Sequence, residues 1–204
     1  MAPGRAREQL LDAAERVVLA DGLEGLSIRR VTAAAGVNGA AVNYTFGSKQ
    51  GLLGELIGRL AQPVTDERIR RFDRLAERAG TGTGSGAGVD DIVRAFVEPL
   101  LTLADPQRAA LAALLRHSLA SGEPAFAHEV ARHLQPGVDR LRSALRALGP
   151  EPDDAVTEFC VRLLTANLFL YEALLRSQLG PADTTGSLVA FLAGGVRQVT
   201  AGRR

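Results

Sequence analysis

The stretch AAAGVNGAAVNYTFGSK, residues 33–49, constrains the fold more than any other part of the chain. A run of alanines, the strongest helix former, breaks at Gly36, and a helix-forming run resumes only after Asn38 and Gly39. Two short helices joined by a three- or four-residue turn containing glycine are a helix-turn-helix. Here Gly36 supplies the backbone freedom, Val37 is expected to tuck into the core, and Asn38 is placed to cap the second helix. Val31, Ala35, Val37 and Val42 form the apolar set expected to lock the two helices at a steep angle. An ordinary pair of helices inside a bundle satisfies the same pattern, so at this point both readings stand.

The rest of the chain also reads as helix. Ala, Leu, Arg and Glu dominate, and alternating β-branched runs are absent. Leu10, Ala14 and Val17 share one face of a first helix that stops near Gly22. Ser27 sits where an N-cap belongs, before IRRVTAAA, and Ser48 before KQGLLGELIGRLAQ. Pro63 is expected to kink or restart that fourth helix. A further helix leads to GTGTGSGAG, residues 80–88, which reads as a flexible connector. Five more helices are expected, at about 89–104, 106–121, 124–147, 152–178 and 184–201. The division is a helix-turn-helix domain over 1–47, then a connecting helix and a larger all-helical body over 48–204.

Composition excludes classes rather than selecting one. With 204 residues and 46% hydrophobic content, the chain can bury a core. The net charge of +1 neither favours nor excludes nucleic acid, so an anionic partner must be read from local placement. The single cysteine, Cys160, cannot form an intrachain disulfide, and its apolar setting TEFCVRLL predicts a buried, inert thiol. No apolar run reaches the roughly 20 residues of a membrane span. The N-terminus has basic residues but no apolar core segment, so a signal peptide is not expected. These features predict a cytoplasmic location.

Two details favour nucleic acid at the interrupted stretch. The expected outer positions of its second helix are Gly39, Ala40, Ala41, Asn43, Tyr44 and Thr45, with no acidic residue among them. The next helix opens on Ser48 and Lys49, where helix N–H groups and the chain's only lysine suit a phosphate.

With these residues in place, LSIRRVTAAAGVNGAAVNYTFGSKQGLL, residues 26–53, resembles the DNA-binding signature of the tetracycline-repressor (TetR) family of bacterial regulators. The resemblance is carried by Leu26, Ser27, Arg29, Val31, Ala35, Gly36, Val37, Tyr44, Phe46, Ser48, Lys49, Leu52 and Leu53. It implies an all-α protein with an N-terminal three-helix DNA-binding domain and a C-terminal effector-binding and dimerisation domain. By resemblance, Asn38, Tyr44 and Lys49 meet phosphates, with Thr45 a weaker candidate. Ser27, Arg29 and Arg30 grip the same backbone or an adjacent base. Asn43 is suited to adenine, and Ala40 or Ala41 to a thymine methyl. Arg5 and Arg7, in an N-terminus expected to be loose, are further candidates. The chain departs from the family at Thr32, where alanine is usual, and at Asn38, an acceptable exchange for serine or threonine. Thr45 stands in place of a larger side chain, and Gly39 where lysine is common. The last two weaken the expected affinity for DNA.

The larger half offers a dimer surface. Val156, Phe159, Leu163, Ala166 and Leu170 form one stripe. The last helix adds Leu188, Phe191, Leu192 and Val199 beside the small Gly195. Two such helices from each chain predict a four-helix interface. The middle helices are expected to enclose a ligand cavity, with candidates Phe96, Leu100, Leu114, His117, Ser118, Phe126, Val130, Asn167 and Tyr171. His128 and His133 are five apart, the wrong spacing for a metal pair on one helical face, and neither a metal nor a cofactor is expected. No nucleophile elbow or P-loop occurs, and no enzyme is expected. The sequence therefore predicts a homodimeric repressor that binds a palindromic DNA operator and is released by a small molecule. The competing readings are a ligand-binding or protein-interaction bundle that does not bind DNA, and a helical enzyme using His117 or Glu98.

Overall fold

The computed structural model describes residues 3–80, 87–148, 153–171 and 184–201, and among them every regular element is helical. The helices are α1 Pro3–Asp21, α2 Ile28–Ala35, α3 Ala41–Phe46, α4 Lys49–Gly80 and α5 Val89–Leu101. They continue with α6 Asp105–Ser121, α7 Pro124–Arg146, α8 Asp154–Leu170 and α9 Thr184–Ala201. The all-α class expected from sequence is the observed one. Most of the connector expected at 80–88, and the end of the helix expected at 152–178, lie outside the described residues.

The local stops are the ones the sequence announces. Ser27 Oγ accepts from Arg30 N–H at 3.3 Å and starts α2. Gly36, at φ 65°, ends that helix in the left-handed region that a Cβ penalises. Ser48 Oγ accepts from Gly51 N–H at 3.0 Å and starts α4. Two expectations are corrected. Helix α4 does not restart at Pro63 but runs on to Gly80. Pro63 removes one ladder hydrogen bond, yet it is exposed, and the buried Leu60, Ala61 and Val64 beside it pack the flanking turns. Arg5 and Arg7 are not on a loose arm but within α1.

The chain divides into two compact units: Met1–Gln62 with Ala104–His133, and Pro63–Leu103 with Leu134–Arg204. In the first, α1 packs on α2, α3 and α6. Leu10, Ala14, Leu26, Val31, Val42, Leu52, Leu56, Leu111 and Leu114 form its buried heart. Each such leucine is worth about 1.5–3 kcal/mol by burial alone. Ion pairs join α1 to α4 at the rim: Arg7 with Glu55 at 2.6 Å, and Arg59 with Asp12. In the second unit α9 packs on α5 and α8. Its core includes Val64, Phe72, Phe96, Leu141, Leu164, Leu168 and Val189.

Candidate nucleic-acid interface

Helix α3 has six residues, and among them only Val42 is buried. Hydrogen bonds also fix both of its ends. Asn38 Oδ1 accepts from Ala40 N–H at 2.9 Å, and Asn38 O accepts from Ala41 N–H. This side-chain-mimicked turn places the helix start two residues later than the sequence suggested, so Asn38 caps the turn rather than the helix itself. Gly47, at φ 74°, closes the other end. At the preceding corner, Val31 is fully buried, whereas Ala35 and Val37 are half-buried.

The result is a prominent ridge. Tyr44 is 91% exposed, and Asn43, Asn38, Gly39 and Ala40 are exposed with it. Ala41, Thr45 and Phe46 are half-buried. A Cβ built on Gly39 meets nothing within 4 Å, so that position is open. Lys49 is exposed at the start of α4, whose first turn carries no acidic residue. The Ser48 cap occupies the N–H of Gly51, leaving those of Lys49 and Gln50 as the outermost donors.

The basic candidates separate. Arg30 is held in an ion pair with Asp21 across the α1–α2 junction, beside Gly25. Arg29 and Lys49 are exposed, and among the described residues no carboxylate pairs with either. Arg7 is engaged by Glu55. Thr32, at the position where the family favours alanine, is buried, and its hydroxyl donates to Ile28 O at 2.9 Å. The sequence reading missed Arg16, which donates to Ala34 O at 3.2 Å and ties the end of α2 to α1. Its spacing on α1 carries no mark of that role.

The effector candidates fall in both units. Leu114, His117, Ser118, Phe126 and Val130 belong to the first; Phe96, Leu100, Asn167 and Tyr171 belong to the second. His117 stands edge-on to Phe126, with ring centroids 5.0 Å apart. Both line a groove of about 690 Å³ that Lys49, Glu55, Glu129 and His133 also border. Leu114 and Val130 are buried and do not line it, and Ser118 is half-buried. Phe96, Leu100 and Tyr171 are buried core residues of the second unit, and Asn167 donates to Leu163 O at 2.8 Å.

The dimer candidates form a coherent face. Phe159, Leu163, Phe191, Leu192, Gly195 and Val199 line a groove of about 550 Å³ on α8 and α9. Phe191 is 73% exposed and Phe159 50%. Leu170 and Ala166 are exposed outside the groove, Leu188 is half-buried, and Leu192 is buried within the chain. Cys160 is buried, and desolvation pushes its thiol pKa up, which keeps it protonated. Among the described residues no cluster of three metal-ligating side chains occurs, and no helix is long and apolar enough to cross a membrane.

Residues 10–56 match the family model described as bacterial regulatory proteins, tetR family. The HTH-type transcriptional regulator BetI of Vibrio vulnificus (strain YJ016) is 31% identical over 77 residues, a match that spans 38% of this chain and 39% of that protein. A proposed tetR-family transcriptional regulator from Mesorhizobium loti MAFF303099 superposes with a TM-score of 0.68 at 15% identity, covering 98% of both chains. The multidrug binding protein EbrR, complexed with imidazole, superposes with a TM-score of 0.60 at 20% identity, covering 95% of this chain and 93% of that one. At such identities the likeness to the solved structures is one of fold.

Proposed function

We propose that this chain, whose residues 10–56 match the tetR family of bacterial regulatory proteins, is a homodimeric, effector-released repressor of transcription. Residues 1–47 read the DNA, and residues 48–204 bind the effector and form the dimer. One observation carries the reading: α3 buries only Val42 and presents Asn43 and the 91%-exposed Tyr44 beside Lys49. A helix that contributes so little to its own core is positioned to contact something else. Asn43 reads a base edge in the major groove, Asn38, Tyr44 and Lys49 hold phosphates, and Gly39, Ala40 and Ala41 permit close approach. Arg29 serves the backbone ahead of Arg30, which Asp21 already engages.

Two copies joined through α8 and α9 would span half-sites about one helical turn, roughly 34–36 Å, or a multiple apart. An effector shifts the two-state balance only by its difference in affinity for the two states. Helix α4, unbroken from Lys49 to Gly80, is the covalent route for that change. The description of EbrR as a multidrug binding protein supports a small-molecule effector. The protein acts in the cytoplasm, where its operator is.

A gel shift on the DNA upstream of its own gene, run across a salt series, tests the reading. The expected result is a discrete complex whose affinity falls log-linearly with salt. Failure to retard that DNA beyond a random duplex, even at low salt, overturns it.

A further inference from the structure

Arg68 is 3% exposed and lies in the second unit. Its Nε donates to Phe96 O of α5 at 2.8 Å, and its guanidinium stacks on the Phe96 ring, 4.0 Å from the centroid. On α7, a Cβ built on Gly137 would come within 2.9 Å of Arg68 Cδ, so that glycine makes room for the side chain. Each of the three helices around it carries an internal proline: Pro63, Pro99 and Pro136. Among the described residues no carboxylate pairs with Arg68, whose Nε is the nitrogen engaged by Phe96 O.

Carboxylates are at hand but engaged elsewhere. Glu98, two residues from Phe96, binds Arg71 at 2.6 Å and Arg94 at 3.3 Å. Glu67, next in sequence to Arg68, binds Arg70, Arg71 and Arg74. Those arginines are more exposed than Arg68, which is buried and, among the described residues, has no carboxylate partner. Burial lowers its pKa to about 9, so it is still charged at neutral pH. A buried cation with no counter-ion costs stability, and such local costs concentrate at functional sites.

We infer that Arg68 anchors an effector bearing a single carboxylate on an apolar body. This rests on the proposed effector-binding role of residues 48–204, within which Arg68 lies. With Nε committed to Phe96 O, the Nη1–Nη2 end of the fork is left for a two-point contact with a planar carboxylate. One guanidinium balances one negative charge; a phosphomonoester, near two negative charges, would leave charge uncompensated in the same place. Val64 and Phe72, one turn away on either side along α4, and Phe96 are buried and apolar, which suits the body of the ligand.

Thermal denaturation of the 204-residue chain at neutral pH, with straight-chain monocarboxylates from butanoate to hexadecanoate and with benzoate, each beside its methyl ester, tests the assignment. At least one acid raises the melting midpoint while its ester does not. Arg68→Met lowers the affinity for that acid on the order of 100-fold. Arg68→Lys keeps the charge but loses the fork, and retains a weaker preference for acid over ester. Equal stabilisation by ester and acid, undiminished binding by Arg68→Met, or no response to any acid in the series overturns it. A gel shift run in parallel separates the two readings. Release from DNA by neutral or cationic compounds alone sinks the carboxylate anchor and keeps the repressor; carboxylate binding without any DNA complex does the reverse.

Discussion

The two units leave different surfaces unsatisfied. In the first, α3 turns small and polar groups outward around one buried valine, and the exposed Lys49 stands beside them. In the second, α8 and α9 turn outward Phe159, Leu163 and Phe191, three large apolar side chains at 45–73% exposure. Apolar groups clustered at such exposure suit a protein partner, and a polar, acid-free ridge beside a helix N-terminus suits phosphate, as the proposed function requires. On the proposed function, the same chain carries two interfaces of different chemistry.

The largest effect should come from putting a charge into the apolar face. Phe191→Arg is expected to convert a dimer to a monomer in light scattering, with the fold retained because the position contributes little to the monomer's core. Loss of the second half-site should then lower operator affinity on the order of 100-fold or more. A variant that stays dimeric would show that the groove is not the dimer contact and break the contrast between the two surfaces.

Next come the ridge residues, which should separate reading from holding. Asn43→Ala is expected to cost about 1–3 kcal/mol on the operator and to relax preference at one base pair, measured by binding to single-substitution duplexes. Lys49→Ala should weaken all sequences alike and reduce the salt slope by about 1. If Asn43→Ala loses as much on random DNA as on the operator, it holds backbone and does not read bases.

Much of this was legible because short-range chemistry decides it. Ser27, Gly36 and Ser48 act through hydrogen bonds or dihedral angles within a few residues, and each does what its position announces. What needed coordinates depends on contacts far apart in sequence. Arg30 looks like any basic residue beside Arg29 until Asp21 is found against it. Arg68 did leave a signal: Val64, Arg68 and Phe72 recur at spacing four, so a charge occupies a core position of the helical pattern. That irregularity is easily taken for a shift in the apolar face. The restart that propensity suggested at Pro63 does not occur, since α4 runs through it.

A smaller effect distinguishes two glycines at the corner. Gly36 adopts φ 65°, so Gly36→Ala is expected to destabilise by about 1 kcal/mol, read in urea denaturation, through backbone strain alone. Gly39 has open space and no positive φ, so Gly39→Ala should leave stability unchanged while altering DNA affinity. A stability loss at Gly39 matching that at Gly36 would mean that the ridge is part of the core.

The smallest effect is one that both units should share. In the second unit, hydrogen bonds from Arg71 and Arg70 hold the Glu67 carboxyl below its ordinary pKa of 4.5 against the opposing effect of desolvation. In the first, Arg132 and then His133 do the same for Glu129. A carboxyl whose folded pKa is depressed stabilises fully above its unfolded pKa and loses that contribution as pH falls through the folded value. Glu67→Gln and Glu129→Gln should therefore each lower stability at neutral pH, by no more than about 1 kcal/mol because their partners are partly exposed. The gap from the parent chain should close in acid, once the native carboxyl is itself protonated. Melting curves of both variants and the parent, from neutral pH to below 4.5, measure that gap. A gap that persisted in acid would assign the effect to packing; one that closed in only one variant would show that the units differ in electrostatics as well as in the surfaces they leave open.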